Sequence, residues 1–389
     1  MKKENNMRVL FVSRGYPTEK NPMFGNYEAV QARALTKRGI QVTVVVIRRI
    51  RNYFFSYQFV EKHFQDEGVD VYFINSTISY FIAPFYLFRN KRLEEKALCK
   101  FVRESLKNGI CFDLVHAHII VPAVFAIPLK TQFNLPLVVT EHWTRVNQDT
   151  VDSYIHENGK VYQYADYVMA VSHFLATNIT KNFGVKCHVV NNMVDDLFFE
   201  GNLEEHQDRP TVRFIAVGSL LPIKGFDMLI RAFAKMKTKS KADLFIIGMG
   251  SEYQNLQDLI NSFLLQDKIH LLGYKSPEEI SNLLSDSDCY VLSSKSETFC
   301  IACIEAMAKG LPVIATDCGG PKEYINEETG VFVPIDDEDA LANAMDRMVL
   351  DGKKYNKGRI RNYCREHFSE DVIVGQLSRI YHETISKYK

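Results

Sequence analysis

The stretch TVRFIAVGSLLPIKGFDMLI, Thr211 to Ile230, joins a short apolar run to a helical pattern through a glycine-containing turn. The run 211–220 has the length and apolar content of a buried strand, and Gly218 lets the chain turn tightly after it. Gly225 stands where the following helix begins. Because buried strands that alternate with helices are typical of parallel sheets covered on both faces, the stretch predicts an α/β fold.

The same alternation runs along the chain in two sets. The first set of predicted strands is 8–13, 41–47, 69–75, 113–119, 135–142, 167–172 and 186–192, with a helical pattern at 26–39. The second set is 211–220, 242–250, 268–274, 288–294, 312–316 and 329–335. Between the sets, EGNLEEHQDRP is polar and typical of a linker. We expect two parallel α/β domains, 1–204 and 205–369, and a helical stretch 370–389 that can pack back on the first.

Composition and charge exclude several classes of protein. The 389 residues include 47 basic and 47 acidic side chains, so no overall field would attract nucleic acid. No apolar run reaches the length of a signal peptide or a membrane span, which predicts a cytoplasmic protein. Cys300 and Cys303 form a C-x-x-C with no second metal-ligand pair. We interpret the eight cysteines as packing residues of a reducing compartment and expect no metal site.

Candidate site residues follow the predicted strands. In open parallel sheets ligands bind outside the carboxyl ends of the strands, and two such domains that face each other form a cleft. In the first domain these positions hold Ser13, Arg14, Gly15, His116, His118, Glu141 and His142. In the second domain they hold Gly218, Ser219, Lys224, Gly248, Gly250, Gly273, Tyr274 and Ser293 to Glu297.

Two glutamates enclose the helix start in SETFCIACIEAMAKGLPVIATDCGG, Ser296 to Gly320. Glu297 lies on the loop after a strand and Glu305 lies in the helix that follows. Carboxylates accept hydrogen bonds well from neighbouring hydroxyls, such as those of sugars and ribose. The backbone N–H groups of the first helical turn, 298–301, favour an anion such as phosphate. The alternative interpretation of the two glutamates is a solvated helix face.

Three further residues allow both a functional and a structural interpretation. Lys224 precedes a helix and can neutralise a leaving diphosphate, although a lone loop lysine is commonly only solvated. Gly25 precedes a helix and lets the backbone approach a ligand closely. His118 follows His116 on the same strand face, where a histidine is commonly a core residue. IIGMGSE lacks the third glycine of a dinucleotide-binding loop.

Together these motifs resemble glycosyltransferase family 4, retaining enzymes of the GT-B fold with two Rossmann-like domains. The resemblance covers essentially the whole chain. It rests on Glu297 and Glu305 with AMAKGLPVIAT and GGPKEYI after them, and on VGSLLPIKGFDMLI, IIGMGSE, VVNNMVDDLF and GNYEAVQARAL. The resemblance implies a GT-B enzyme that moves a sugar from a nucleoside diphosphate donor, retains the anomeric configuration and needs no cofactor or metal.

The resemblance also implies roles for single residues. Glu297 would contact the hydroxyls of the donor sugar, Glu305 the ribose diol, and Lys224 the departing diphosphate. The backbone of Phe299, Cys300 and Ile301 would meet sugar or phosphate. Loop residues of both domains would complete the site: Gly25 for the donor phosphates, Tyr274 for the base, His118 for the donor sugar or acceptor, and Gly218, Ser219 and Gly250 as donor-site lining. The family often has arginine at the position of Ser219 and glycine at that of Cys300, which leaves the donor sugar open.

Other assignments and the acceptor stay open at this point. A UDP-sugar 2-epimerase-like enzyme and a non-catalytic sugar-nucleotide-binding protein are compatible with the fold. The implied acceptor is a glycan or a lipid-linked glycan of polysaccharide biosynthesis. Ser79 to Arg92, SYFIAPFYLFRNKR, is aromatic and then basic, which favours either a buried element with a solvated cap or a peripheral contact with the inner membrane face.

Overall fold

The computed structural model describes residues 7–52, 59–79, 91–203 and 209–388. The chain divides into two units. The first unit comprises Met1–Asn191 together with Ile373–Lys389, and the second comprises Asn192–Val372. The chain thus leaves the first unit once and returns to it with its last helix.

Within the described residues, the first unit has an eight-stranded sheet. Its strands are β1 (Arg8–Ser13), β2 (Gln41–Asn52), β3 (Val60–Asp66), β4 (Val69–Ser79), β5 (Leu114–His118), β6 (Leu137–Glu141), β7 (Tyr167–Ala170) and β8 (His188–Val189). They lie in the order β3-β4-β2-β1-β5-β6-β7-β8. Neighbouring strands are parallel, except β3 and β4, which are antiparallel.

Helices cover this sheet, and its central strands are buried on both faces. Strands β5 and β6 are buried at every residue, as expected for parallel strands between two helical layers. Five α-helices of the described part of this unit precede the passage of the chain into the second unit. They are α1 (Asn26–Lys37), α2 (Lys91–Lys107), α3 (Ile120–Phe133), α4 (Ser153–Gly159) and α5 (His173–Phe183).

The second unit has a six-stranded sheet in its described residues, and every neighbouring pair is parallel. Its strands are β9 (Val212–Val217), β10 (Ala242–Ile247), β11 (Ile269–Leu271), β12 (Cys289–Leu292), β13 (Val313–Thr316) and β14 (Gly330–Val333), in the order β11-β10-β9-β12-β13-β14. Its helices are α6 (Phe226–Lys235), α7 (Tyr253–Ser262), α8 (Pro277–Ser285), α9 (Ile301–Ala308), α10 (Glu338–Asp351) and α11 (Lys357–Phe368). Helices α6 and α10 pack on one face of this sheet, where Phe214, Leu229, Phe233 and Met345 are fully buried.

The last helix, α12 (Glu370–Ser386), supplies buried side chains to the first unit. The Tyr381 hydroxyl lies 2.7 Å from Nδ1 of His116, whose Nε2 lies 2.7 Å from Oγ1 of Thr140. All three side chains are buried. The hydroxyl of Tyr388 also donates to the Asp166 carboxylate at 2.8 Å. The final helical stretch therefore does pack on the first unit.

Two differences from the sequence-based expectation concern strand β3 and the boundary between the units. Strand β3 was not predicted, because VEKHFQD is a polar and largely exposed edge strand. The units divide at residue 191/192 rather than near 205. Bonds within the second unit hold the intervening segment: the backbone N–H of Val194 donates to Phe368 at 2.8 Å, and Lys309 Nζ donates to the Glu200 carbonyl at 2.9 Å.

Two other sequence interpretations concern the surface and the cysteines. Residues 80–90 of the Ser79 to Arg92 stretch lie outside the described residues. Across the described ranges, no helix combines the length and apolar character needed to cross a membrane. The packing interpretation holds for Cys99, Cys289, Cys303, Cys318 and Cys364, which are buried, but it is wrong for the exposed Cys111. Cys187 and Cys300 are partly exposed.

Candidate functional site

The second unit brings most of the predicted donor residues to the carboxyl edge of its sheet. Gly218 and Ser219 follow β9, Gly250 follows β10, Tyr274 follows β11, and 293–297 follow β12. Tyr274 is 39% exposed, so its ring is accessible to a ligand. These residues come from four neighbouring strands, which is why positions far apart in sequence meet at one edge.

A glycine contact fixes the loop that carries Lys224. Gly225 has a left-handed backbone, with φ of 62°, and a Cβ atom there would lie 2.2 Å from the Ser293 carbonyl oxygen. Glycine therefore lets the loop after β9 pack directly on the loop after β12. The Ser293 hydroxyl donates to the Lys224 carbonyl at 2.9 Å, and the Lys295 N–H donates to the Ile223 carbonyl at 2.8 Å.

Lys224 and Glu297 form the central ion pair of this edge. Lys224 Nζ lies 2.6 Å from Glu297 Oε1, and the Ser294 hydroxyl donates to the same oxygen at 2.7 Å. The Lys224 side chain is 26% exposed and the Glu297 side chain 9%. Burial alone would lower the pKa of Lys224, but the nearby Glu297 carboxylate outweighs it and leaves that pKa raised. The lysine is therefore charged, positioned and partly accessible.

The start of α9 has an unusual backbone. Cys300 is its N-cap residue, has a left-handed φ of 70° and makes no side-chain capping bond. A left-handed backbone favours glycine, which is the residue that the resemblance to family 4 leads us to expect here. Phe299 is fully buried, and the Tyr324 hydroxyl donates to its carbonyl at 2.5 Å. The segment Phe299 to Ile301 is thus held in place at the helix N-terminus.

Glu305 lies one turn into α9 and is partly exposed. Burial, and secondarily the neighbouring Asp195 carboxylate, raise the pKa of Glu305 to about 7. Hydroxyl groups that donate hydrogen bonds to such a carboxylate stabilise its charged form and lower its pKa. Sequence reasoning did not single out Asp195, which lies in the quoted motif VVNNMVDDLF.

In the first unit, His118 ends β5 and is completely buried. Neither of its ring nitrogens has a hydrogen-bond partner among the described residues. Its ring contacts those of Phe11 and His116, with distances between ring centres of 4.7 Å and 4.3 Å, respectively. Burial, then His116 and His142, lower the pKa of His118 well below its usual value, so the ring is neutral. His118 is therefore buried, as the interpretation as a core histidine predicts, but both of its ring nitrogens lack hydrogen-bond partners among the described residues.

Gly25 holds the N-terminus of α1 close to the end of β1. Its φ is 80°, and a Cβ atom there would lie 2.3 Å from the carbonyl carbon of Gly15. Helix α1 then places Glu28, which is 6% exposed, with its Oε1 3.8 Å from Nε2 of His142. Burial raises the pKa of Glu28 to about 7 and lowers that of His142 to about 4. Sequence reasoning missed Glu28 as a site candidate, although GNYEAVQARAL contains it.

Glu141 was also predicted to line the site, but its carboxylate is hydrogen-bonded within the protein. It is fully buried, and its carboxylate accepts hydrogen bonds from the N–H groups of Ile120 at 2.8 Å and Trp143 at 2.8 Å. The Tyr162 hydroxyl donates to it at 2.7 Å. Burial nevertheless raises the pKa of Glu141 to about 7. Among the residues that the structure describes, no three or more His, Cys, Asp or Glu side chains are grouped so that they could hold a metal ion.

Two family models match the chain, one for each unit. Residues 27–196 match Glycosyltransferase Family 4, and residues 202–365 match Glycosyl transferases group 1. The chain is 25% identical over 333 residues to N-acetyl-alpha-D-glucosaminyl L-malate synthase of Bacillus anthracis, covering 81% of this chain and 85% of that protein. It is 26% identical over 361 residues to the putative teichuronic acid biosynthesis glycosyltransferase TuaC of Bacillus subtilis, covering 88% and 89%.

Solved structures share the fold. Sucrose-phosphate synthase from Thermosynechococcus elongatus has a TM-score of 0.74 at 22% identity and covers 98% of this chain and 100% of that chain. Anabaena Alr3699/HepE in complex with UDP and glucose has a TM-score of 0.74 at 17% identity and covers 97% and 100%. The two family models and the two parallel-sheet units lead to the same conclusion. The chain belongs to the group 1 glycosyltransferases of the family 4 type and has the GT-B fold.

Proposed function

We propose that the protein is a retaining glycosyltransferase that moves a sugar from a nucleoside diphosphate sugar to a glycan or lipid-linked glycan. The observation that carries this proposal is the Lys224–Glu297 pair at 2.6 Å on the carboxyl edge of the second unit. The ammonium group of Lys224 suits the diphosphate, and the carboxylate of Glu297 suits sugar hydroxyls. A partly exposed lysine held by a buried carboxylate is preorganised for charge that develops during the reaction.

In the proposed reaction, the bond between the anomeric carbon and the diphosphate oxygen breaks, and the diphosphate keeps the electron pair. Lys224 stabilises that charge, together with the N-terminus of α9. An acceptor hydroxyl forms the new glycosidic bond on the same face. The departing phosphate oxygen takes the proton of that hydroxyl. Glu297 orients the sugar and Glu305 holds the ribose diol, while no metal or other cofactor takes part.

The donor and acceptor classes follow from the relatives as proposals. HepE is described in complex with UDP and glucose, and TuaC by its role in teichuronic acid biosynthesis. We therefore propose a UDP-sugar as the first donor to test and a cell-surface glycan as the acceptor. A lipid-linked acceptor would bring the protein to a membrane surface. Co-sedimentation with anionic liposomes, and its loss when Arg89, Lys91 and Arg92 are changed to Glu, tests that contact.

The decisive experiment incubates the purified protein with a panel of UDP- and GDP-sugars, with and without glycan acceptors and with a chelator. Mass spectrometry should show a new glycoside, formed at an undiminished rate in the chelator, and NMR of its anomeric proton should show the retained configuration. Conversion of one UDP-sugar into its 2-epimer without acceptor would instead support the epimerase alternative. Tight nucleotide binding without any turnover would support the non-catalytic alternative.

A further inference from the structure

Five side chains of the first unit alternate between aromatic rings and arginines. The Arg14 guanidinium carbon lies 5.4 Å from the ring centre of Phe24 and 5.6 Å from that of Trp143. The Arg145 guanidinium carbon lies 5.1 Å from the Trp143 ring and 5.4 Å from the Tyr154 ring. The order is therefore Phe24, Arg14, Trp143, Arg145, Tyr154. We call this set the ring–arginine ladder.

The backbone beneath the ladder is fixed at both ends and in the middle. A Cβ atom on Gly15 would lie 2.3 Å from the Phe24 ring, so this glycine makes room for the first ring. The N–H of Trp143 is held by the buried Glu141 carboxylate at 2.8 Å. Asp152 pairs with Arg145 at 2.5 Å and also accepts from the Ile155 N–H at the start of α4. The ladder is thus preorganised, which lowers the entropy cost of binding a ligand.

The ladder is accessible and carries a net positive charge. Phe24 is 39% and Tyr154 47% exposed, and both arginines are exposed. Arg145 is paired with Asp152, whereas Arg14 forms no ion pair within the described part of the chain. Exposed aromatic rings grouped with exposed cations form a surface of the kind that commonly marks a binding site.

The ladder also crosses the carboxyl edge of the first unit's sheet, where its buried candidate residues lie. Arg14 follows β1 and Trp143 follows β6, and β5 lies between these two strands in the sheet. Strand β5 ends at His118. A chain that binds along the ladder therefore passes the carboxyl end of β5, the position expected for a substrate of an open parallel sheet.

We propose that the ring–arginine ladder binds an anionic glycan acceptor. Sugar faces pack on Phe24, Trp143 and Tyr154, and carboxylate or phosphate groups of the glycan bind Arg14 and Arg145. The spacing suits a polymer with acidic groups between apolar sugar faces. A single-stranded nucleic acid needs a continuous basic groove, and this chain has equal numbers of acidic and basic residues. The proposal names the acceptor of the glycosyl transfer proposed above and rests on it.

The experiment uses the fluorescence of Trp143, because the chain has one tryptophan. The intact protein is titrated with an oligogalacturonate, with a poly(glycerol phosphate) oligomer and with a neutral malto-oligosaccharide of similar length. A saturable change with an acidic probe, weakened by salt and absent with the neutral probe, is the expected result. The two acidic probes distinguish carboxylate from phosphate as the recognised group.

Variants connect the signal to the ladder. Arg14→Gln and Arg145→Gln should each weaken binding of the acidic probe about ten-fold, since each removes a charge-assisted bond. Arg103→Gln is the matched control, because Arg103 lies 5.6 Å from the Phe133 ring but outside the ladder. Equal binding of neutral and acidic probes, or variants that bind as well as the unchanged protein, overturns the proposal. Tighter arginine-dependent binding of a single-stranded oligonucleotide or an anionic vesicle also overturns it.

Calorimetry with UDP distinguishes failure of this inference from failure of the proposed function. UDP affinity should be the same in Arg14→Gln, Arg145→Gln and the unchanged protein, because the ladder is assigned to the acceptor. A fall in UDP affinity in Arg14→Gln assigns that arginine to the donor and overturns the ladder. Normal UDP binding and transfer to neutral glycans only leaves the proposed function standing without this acceptor.

Discussion

The carboxyl edges of the two sheets treat charge in opposite ways. In the second unit, Lys224 and Glu297 are both placed as ions, 2.6 Å apart, with the lysine partly exposed. In the first unit, burial keeps His118 neutral and raises the pKa of Glu28 to about 7. The first edge presents its fixed charges further out, on Arg14 and Arg145. One edge therefore suits a highly charged ligand at its centre, and the other an uncharged reacting group with charged surroundings.

The largest expected effect comes from removing the charge at the centre of the second edge. Lys224→Ala should lower turnover about 100-fold or more, because the cation that we propose stabilises the leaving diphosphate is lost. Donor affinity should fall less, since the charge grows in the transition state. Steady-state kinetics with the donor found in the panel measures both. Lys235→Ala, which removes an exposed lysine of α6, is the control.

The double variant Lys224→Ala/Glu297→Gln removes the penalty of leaving a buried carboxylate unpaired. Its turnover should remain as low as that of Lys224→Ala. Recovery in the double variant would show that Lys224 only neutralises Glu297, and normal turnover in Lys224→Ala would show that Lys224 does not stabilise the leaving group.

A smaller effect is expected at Glu305. Glu305→Gln should weaken nucleoside diphosphate binding about ten-fold or more above pH 7, because at the proposed ribose site the amide would accept the hydroxyls without a charge. The pKa of Glu305 is about 7, so the difference between the two proteins should shrink as the pH falls to 5. Calorimetry at several pH values measures this, and an affinity gap that is independent of pH would contradict the assignment.

The same substitution has a predictable effect on stability. The folded pKa of Glu305 lies above its usual 4.5, so the folded protein binds more protons between pH 4.5 and 7. The contribution of Glu305 to stability is complete below pH 4.5 and is lost as the pH rises through 7. Glu305→Gln should therefore unfold later than the unchanged protein at pH 8 and nearly together with it at pH 4.5. Thermal melts across this range test the sign.

In the first unit, the expected effect is on stability rather than on the nucleotide. Tyr381→Phe removes the hydroxyl 2.7 Å from Nδ1 of the buried His116 and should cost about 1–3 kcal/mol in the free energy of unfolding. Denaturant titration measures this cost. Tyr253→Phe is the control, because Tyr253 is 42% exposed. A loss of UDP affinity in Tyr381→Phe would show that the two edges do not behave independently.

The smallest expected effect concerns the departure at Cys300. Cys300→Gly relieves the left-handed backbone, whereas Cys300→Ala removes the sulfur and keeps the strain. The two variants should differ by about 1 kcal/mol or less in stability, with glycine higher. Both should accept bulkier donor sugars if the sulfur restricts the pocket. A donor range that changes only in the glycine variant would assign the effect to the backbone instead.

Much of this arrangement was predictable from the sequence. Apolar strands such as β1, and the glycine turns after them, identify the parallel sheets and hence the positions of Lys224 and Glu297. Strand β3 was missed because an exposed edge strand does not need an apolar pattern. The ladder was also missed, since Arg14 and Trp143 follow different strands, Tyr154 lies at the start of α4, and the three meet only through the fold. Likewise, the dependence of His116 on Tyr381 joins two residues that no local pattern connects.

The contact between Tyr381 and His116 has a consequence for synthesis. Domains usually fold as units while the chain emerges, and the amino-terminal one folds first. Here the second unit can be complete while the first still lacks the helix that covers β5. Until Tyr381 has left the ribosome, His116 lacks its hydrogen-bond partner and β5 lacks the helix that covers it. The part that is made first is therefore finished last, so a chain cut short before α12 leaves an incomplete first unit for chaperones and proteases to recognise.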